Sequence, residues 1–133
     1  MALQLSTAVR NARLDAIESN SGTAAVLKLR TGAQPANCAA SDSGTVLCSM
    51  TLPSDYFSAA SSGAMAKNGT WSGTGIGGGG TIAHFRLYKS DGSTVVAQGT
   101  VGIGSGDLQV DNNVIADGQV VTVTSFTLTD GNA

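Results

Sequence analysis

Charged side chains make up only 12% of this 133-residue chain, which also holds one histidine, two cysteines, two prolines and one tryptophan. Each scarcity excludes something. The seven Lys and Arg residues are scattered and the net charge is −2, so no cationic stripe exists to neutralise phosphates. Direct nucleic-acid binding is not expected. Two cysteines and one histidine cannot supply a four-ligand zinc site, and nothing in the sequence asks for a cofactor. No stretch of about 20 apolar residues occurs, so no membrane-spanning helix is expected. The opening MALQLSTAVRNARLDAI lacks the basic start and apolar run of a signal peptide, which points to a protein made in a cytoplasm. In that compartment Cys38 and Cys48 read as two reduced thiols. A hairpin centred on Ser43 would instead set them opposite each other at bridging distance.

What is plentiful is glycine, 18 residues in all, together with Ser, Thr, Ala and Val. Frequent glycine turns between Thr- and Val-rich runs predict an all-β chain. One helix is expected over residues 6–20, STAVRNARLDAIESN. Leu5, Val9, Ala12 and Ala16 form a narrow apolar stripe on it, Ser6 or Thr7 caps its start, and Gly22 sits at its end. Such a helix is marginal alone and must dock on the sheet or on a neighbour. Asp15 and Glu18 read as its solvated face.

From Ala24 onward the period becomes two. Alternation predicts strands at Ala24–Arg30, Thr45–Thr51, Gly63–Trp71, Thr81–Tyr88, Thr94–Val101, Asp107–Val110 and Gln119–Thr129. Pro53–Ala60 reads as a helical turn that sets Tyr56 and Phe57 over a sheet end. In Thr81–Tyr88, Ala83, Phe85 and Leu87 share the inner face. Ile82, His84, Arg86 and Tyr88 lie on the other, which reads as surface or interface. In the last strand Val121 and Val123 are out of phase with Phe126 and Leu128, which predicts a bulge near Thr124-Ser125. Short strands with turns about every ten residues predict an antiparallel β-sandwich or jelly roll. The organisation is residues 1–22 as an N-terminal arm and helix and 23–133 as a single β domain. Asp130–Ala133 reads as a frayed tail.

Three patterns invite a chemical reading. Gly73–Gly78 in WSGTGIGGGGTIAHF has the G-x-G-x-x-G spacing of a dinucleotide turn. A strand pattern follows it, not the helix whose amides hold pyrophosphate, so the glycines read as a loosely packed connector. His84 lacks a nucleophile-elbow motif to serve, so no hydrolase is expected. Asp107, Asp111 and Asp117 do not match a calcium loop, and Asp at turns explains them better. The sequon at Asn68-Gly69-Thr70 has no meaning without secretion. Low charge favours surfaces that pack against other subunits.

Arg10–Ile17 (RNARLDAI), Leu27–Gly32 (LKLRTG), AHFRLYKSDGSTVVAQGTV and the ending GQVVTVTSFTLTDGN together resemble small virion-associated structural proteins of tailed bacteriophages. The likeness spans most of the chain and carries no catalytic residues. It implies a capsid decoration or cement protein, a homo-oligomer (dimer or trimer) that binds the major capsid protein and resides in the virion after assembly in the host cytoplasm. The alternative is a tail, neck or fibre-associated module for host-surface binding. That role would need exposed aromatics, for which Trp71, Tyr56 and Tyr88 are the candidates. The residues expected to contact partners are Leu5, Val9, Ala12, Ala16, Trp71, His84, Arg86 and Tyr88.

Overall fold

The computed structural model describes residues 3–131. Helix α1 spans Thr7–Ser21. The Ser6 hydroxyl accepts from Val9 N at its start, and Gly22 N donates to Glu18 O at its end. These are the two caps expected from the sequence. The strands that follow are β1 (Val26–Arg30), β2 (Val46–Thr51), β3 (Ala64–Ala66), β4 (Ser72–Thr74), β5 (Gly80–Thr81), β6 (His84–Tyr88), β7 (Val95–Gly102), β8 (Leu108–Val110), β9 (Val114–Ile115) and β10 (Val120–Thr129).

Eight of them form one sheet, in the order β2-β1-β6-β7-β8-β10-β3, with β4 also paired to β10. The sheet curls until its ends meet. Cys48 in β2 bridges Gly75, just past β4, and Ile76 N donates to Leu47 O. The chain is therefore all-β and sandwich-like with one N-terminal helix. Inside the curl, Leu27, Leu29, Leu47, Trp71, Phe85 and Phe126 are among the core residues, each at most 3% exposed. Phe126 touches the rings of Phe57, Trp71 and Phe85 at centroid distances of 5.2–5.9 Å. Edge and tilted contacts of this kind add to plain apolar burial.

The predicted bulge is present: the β8–β10 register slips between Val123 and Ser125, so that Val121, Val123 and Phe126 all face inward. Three expectations are corrected. The sheet is not purely antiparallel, because β7 and β8 pair in parallel, Val101 with Leu108 and Gly102 with Gln109. Parallel neighbours ordinarily need a crossover of a dozen residues or more. Here residues 103–107 suffice, because the loop folds very tightly. A Cβ on Gly102 would lie 2.7 Å from Ser105 O, and Asp107 N and Thr100 Oγ1 are bonded across the loop's base. Residues 53–60 form no helical turn. They run irregularly, with bends at Ser54 and Asp55 and a bridge between Phe57 and Lys67, while Tyr56 and Phe57 are buried as expected. Thr81–Tyr88 is split in two, since β5 pairs with β9 in a separate small ladder.

The glycine run is not loosely packed either. Gly77 has φ +75°, and a Cβ there would sit 2.4 Å from Val46 O. Gly78 N donates to the Asp117 carboxylate, Gly75 N to Gln119 O and Gly118 N to Gly75 O. The segment is clamped between β2 and the 115–119 turn, and lack of side chains is what lets the backbones approach. At the other end Asp130 N donates to Gly63 O. Asn132 and Ala133, the rest of the expected tail, lie outside the described residues.

Candidate functional site

The outer face of β1, β6 and β7 carries most of the chain's buried polar chemistry. Cross-strand register aligns Lys28 with Arg86 and Gln98, and Arg30 with His84 and Thr100. The alternation of β6 marks His84, Arg86 and Tyr88 as outward. They are outward from the curl, yet all three are 1% exposed or less. The reason is the long β1–β2 connection, residues 31–45, which folds back over them. Arg86 satisfies all five guanidinium donors there. Nη1 donates to Ala40 O (3.0 Å) and Asp42 Oδ1 (2.8 Å), Nη2 to Asn37 O (2.9 Å) and Gln98 Oε1 (2.9 Å), and Nε to Gln98 Oε1 (3.1 Å). Gln98 Nε2 then reaches Pro35 O at 2.7 Å.

Asp42 is the hub. Its second oxygen accepts from Arg30 Nη2 at 2.9 Å, and Tyr88 donates its hydroxyl to Oδ1 at 2.8 Å. Burial alone would raise the Asp42 carboxyl. The Tyr88 and Arg86 hydrogen bonds and the charges of Arg30 and Arg86 outweigh it and hold the group below 3.8. Burial and the Asp42 bond push the Tyr88 hydroxyl up. His84 Nδ1 lies 2.7 Å from Gly32 O. A carbonyl only accepts, so Nδ1 carries the proton. Among the described residues no serine hydroxyl or cysteine thiol is bonded to His84, and its Nε2 is buried without a partner. This constellation fastens a loop to a sheet.

Four expected contact residues are thereby corrected. Trp71, His84, Arg86 and Tyr88 are buried within the chain and present no surface to a partner. Trp71 packs in the aromatic core and donates its indole N–H to Asn68 O. The aromatics that a host-binding module would need, Trp71, Tyr56 and Tyr88, are all 1% exposed or less. The other four fall on α1 and just before it. Val9, Ala12 and Ala16 are exposed and Leu5 is half-buried, so the apolar stripe faces away from the sheet.

What docks α1 is polar. Asn11 Oδ1 accepts from Gly63 N, Asp15 Oδ1 from Ala60 N, and Glu18 Oε1 from both Tyr56 N and Phe57 N, at 2.9–3.2 Å. Asn11, Asp15 and Glu18 are spaced i, i+4, i+7, so one helix face offers three acceptors to one segment. Glu18 is thus part of a docked face, whereas Asp15 stays solvent-exposed while it bonds Ala60 N. Arg10 Nη1 donates to Asp130 O and Arg13 pairs with the Asp130 carboxylate. Only Leu14 is a buried apolar residue on the helix, with Ile17 partly buried beside it. The signal for this docked face was the size of Leu14 and Ile17, larger than the alanines of the opposite stripe.

The remaining sequence candidates separate. Asp107 bonds Thr100, Asp111 bonds Thr122 N and Asp117 bonds Gly78 N. Among the described residues no group of three metal-ligating side chains comes together. Cys38 is exposed and Cys48 buried, both as free thiols, and burial pushes the Cys48 thiol up to about 11. Exposed apolar residues also gather where the glycine run meets its neighbours. Ile76, Val114 and Val120 are 46%, 60% and 60% exposed, on segments joined by the Gly75–Gln119 and Gly80–Ile115 pairings. No protein-family model, curated protein or solved structure matches this chain.

Proposed function

We propose that this chain is a structural protein of a tailed-bacteriophage virion: an oligomeric decoration or cement protein that stabilises the capsid shell by binding the major capsid protein. The sequence resemblance suggests the setting. The observation that carries the reading is the orientation of α1. A helix held to its own domain through Asn11, Asp15 and Glu18, with Val9, Ala12 and Ala16 turned to solvent, has its apolar side free for another surface. The exposed Ile76, Val114 and Val120, on segments paired to the clamped glycine run, offer further apolar side chains. Rigid presentation suits binding, because little ordering entropy is lost on contact.

Deletion of the gene tests the reading. Particles that lack the protein should release their DNA on heating at a lower temperature than complete particles, and purified protein added back should restore it. Gel densitometry of intact virions should give hundreds of copies. Deletion particles as heat-stable as the parent would overturn the proposal.

A further inference from the structure

Asn68-Gly69 is the one Asn-Gly pair in the sequence, and the fold leaves it chemically open. The side-chain amide of an asparagine is open to attack by the backbone nitrogen of the next residue. Glycine favours that attack, because it has no side chain to hinder the approach and its backbone turns freely. Asn68 is exposed, in the short connection between Lys67 and Trp71. Among the described residues Gly69 N donates no hydrogen bond, so no partner is given up when it turns on Asn68 Cγ.

The comparable positions are closed. In two Asp-Gly pairs the glycine amide is held, Gly92 N by Lys89 O and Gly118 N by Gly75 O, each at 2.9 Å. In Asp130-Gly131 the group to be attacked is a carboxylate paired with Arg13, and an ionised carboxylate is a poor electrophile. The other described asparagines all precede residues with side chains. Asn11 and Asn20 also lie within α1, and Asn37 Oδ1 accepts from Ala39 N and Ala40 N.

We infer that Asn68 is a site of spontaneous deamidation, a covalent change that the folded chain directs to this position. A solvent base takes the proton from Gly69 N, and the nitrogen lone pair forms a bond to Asn68 Cγ. The Cγ–Nδ2 bond breaks, and the amide nitrogen takes a proton from water and leaves as ammonia. Water then opens the resulting five-membered imide at one of its two carbonyls. One opening gives aspartate at position 68, the other isoaspartate, with an extra methylene in the main chain. One water is consumed, one ammonia is released, and nothing is oxidised or reduced.

Position 68 is a junction, so the change has consequences. Asn68 N donates to Tyr56 O at 2.7 Å, and Asn68 O accepts from the Trp71 indole at 3.1 Å. Asn68 Nδ2 donates to Asp55 O at 3.0 Å and to the Asp55 carboxylate at 3.4 Å. A carboxylate at 68 has no proton to donate, and it faces the Asp55 carboxylate with like charge. Isoaspartate also lengthens the main chain between the Tyr56 and Trp71 bonds. Trp71 is 1% exposed, so an indole N–H that loses its acceptor stays buried and unsatisfied. Tyr56 and Phe57 in turn donate to Glu18, which carries the disturbance to the segment on which α1 docks.

Peptide mapping by mass spectrometry of the folded protein, aged in mildly alkaline buffer, tests the site. The peptide that carries Asn68 should be the first to gain the mass difference between an amide and a carboxylic acid. Its isoaspartate should accept methyl groups from a protein isoaspartyl methyltransferase. Gly69 has φ +74°, which a side chain would strain, so the control variant is made at Asn68. Asn68→Gln keeps a side-chain amide but must close a six-membered ring, and should stay unmodified there over the same period. Aged wild type should unfold at a lower temperature than fresh protein, as Asn68→Asp should, while aged Asn68→Gln should keep its own midpoint. Conversion of another asparagine ahead of Asn68 would overturn the site. So would an Asn68 that stays intact in the folded protein while the urea-unfolded chain converts it. An equal fall in midpoint on ageing Asn68→Gln would overturn the link to stability.

Discussion

Asp42 shows how one side chain fixes the meaning of its neighbours. Arg86 is 1% exposed, and among the described residues Asp42 is the only carboxylate that meets either it or Arg30. Removing one partner of a buried pair costs more than the pair contributes, because the other charge is left without compensation. Asp42 itself is 39% exposed, so water screens part of its pairing. Arg86 would also keep its bonds to Asn37 O, Ala40 O and Gln98. We expect Asp42→Ala to destabilise the fold by about 2–3 kcal/mol in urea denaturation. The pH dependence follows from the sign of the shift. The folded carboxyl titrates below 3.8, so its stabilisation is complete above about pH 4 and fades as pH falls through the folded value. The difference between wild type and Asp42→Ala should therefore shrink in acid. A difference that holds constant from pH 6 down to pH 2 would show that the carboxylate charge is not what holds the loop. Sequence alone did not reveal this network. Alternation correctly put His84, Arg86 and Tyr88 on the outer face, but whether that face meets water depends on where residues 31–45 fold, which no local pattern encodes.

At the scale of elements, the alternating strands were legible and the docking between elements was not. Leu27 and Leu29 in β1, and the phase slip around Thr124-Ser125 in β10, follow from side-chain period and burial, which are local. Helix α1 was legible in its limits and caps for the same reason. Whether the stripe meets the sheet or a neighbour was left open, because period marks an apolar stripe without saying what covers it. Backbone N–H groups of the 56–63 segment settled the matter, since each buried donor needs an acceptor, and Asn11, Asp15 and Glu18 supply them. A pair of substitutions separates the two faces. Glu18→Ala strands the N–H groups of Tyr56 and Phe57 and should cost about 1.5–3 kcal/mol. Glu18→Gln keeps an acceptor oxygen and should recover part of that. Val9→Ala, on the exposed stripe, should change stability by less than about 0.5 kcal/mol. Equal losses for Glu18→Ala and Val9→Ala in thermal unfolding would mean that the helix docks by its apolar side after all.

For the whole molecule, the G-x-G-x-x-G spacing is a lesson in context. The strand after it already argued against a phosphate, and the fold supplies the positive reason for the glycines. Gly77 sits with φ +75° and too close to Val46 O for any side chain, which helps seal the curl between β2 and β4. Closure leaves few free strand edges among the described residues, and so places the burden of assembly on side-chain surfaces. This changes which experiment probes the N-terminal region cleanly. Removing residues 1–20 would strip Asn11, Asp15 and Glu18 from the 56–63 backbone and injure the domain, so a lost partner would prove nothing. The double substitution Val9→Glu, Ala12→Glu leaves those acceptors in place and charges only the outward stripe. It should unfold within about 0.5 kcal/mol of wild type, yet fall well below wild-type copy number on particles when the two compete, because a buried carboxylate without a partner is costly at any apolar contact. Equal incorporation of the two proteins would remove the stripe from the binding surface and leave Ile76, Val114 and Val120 as the face to test next.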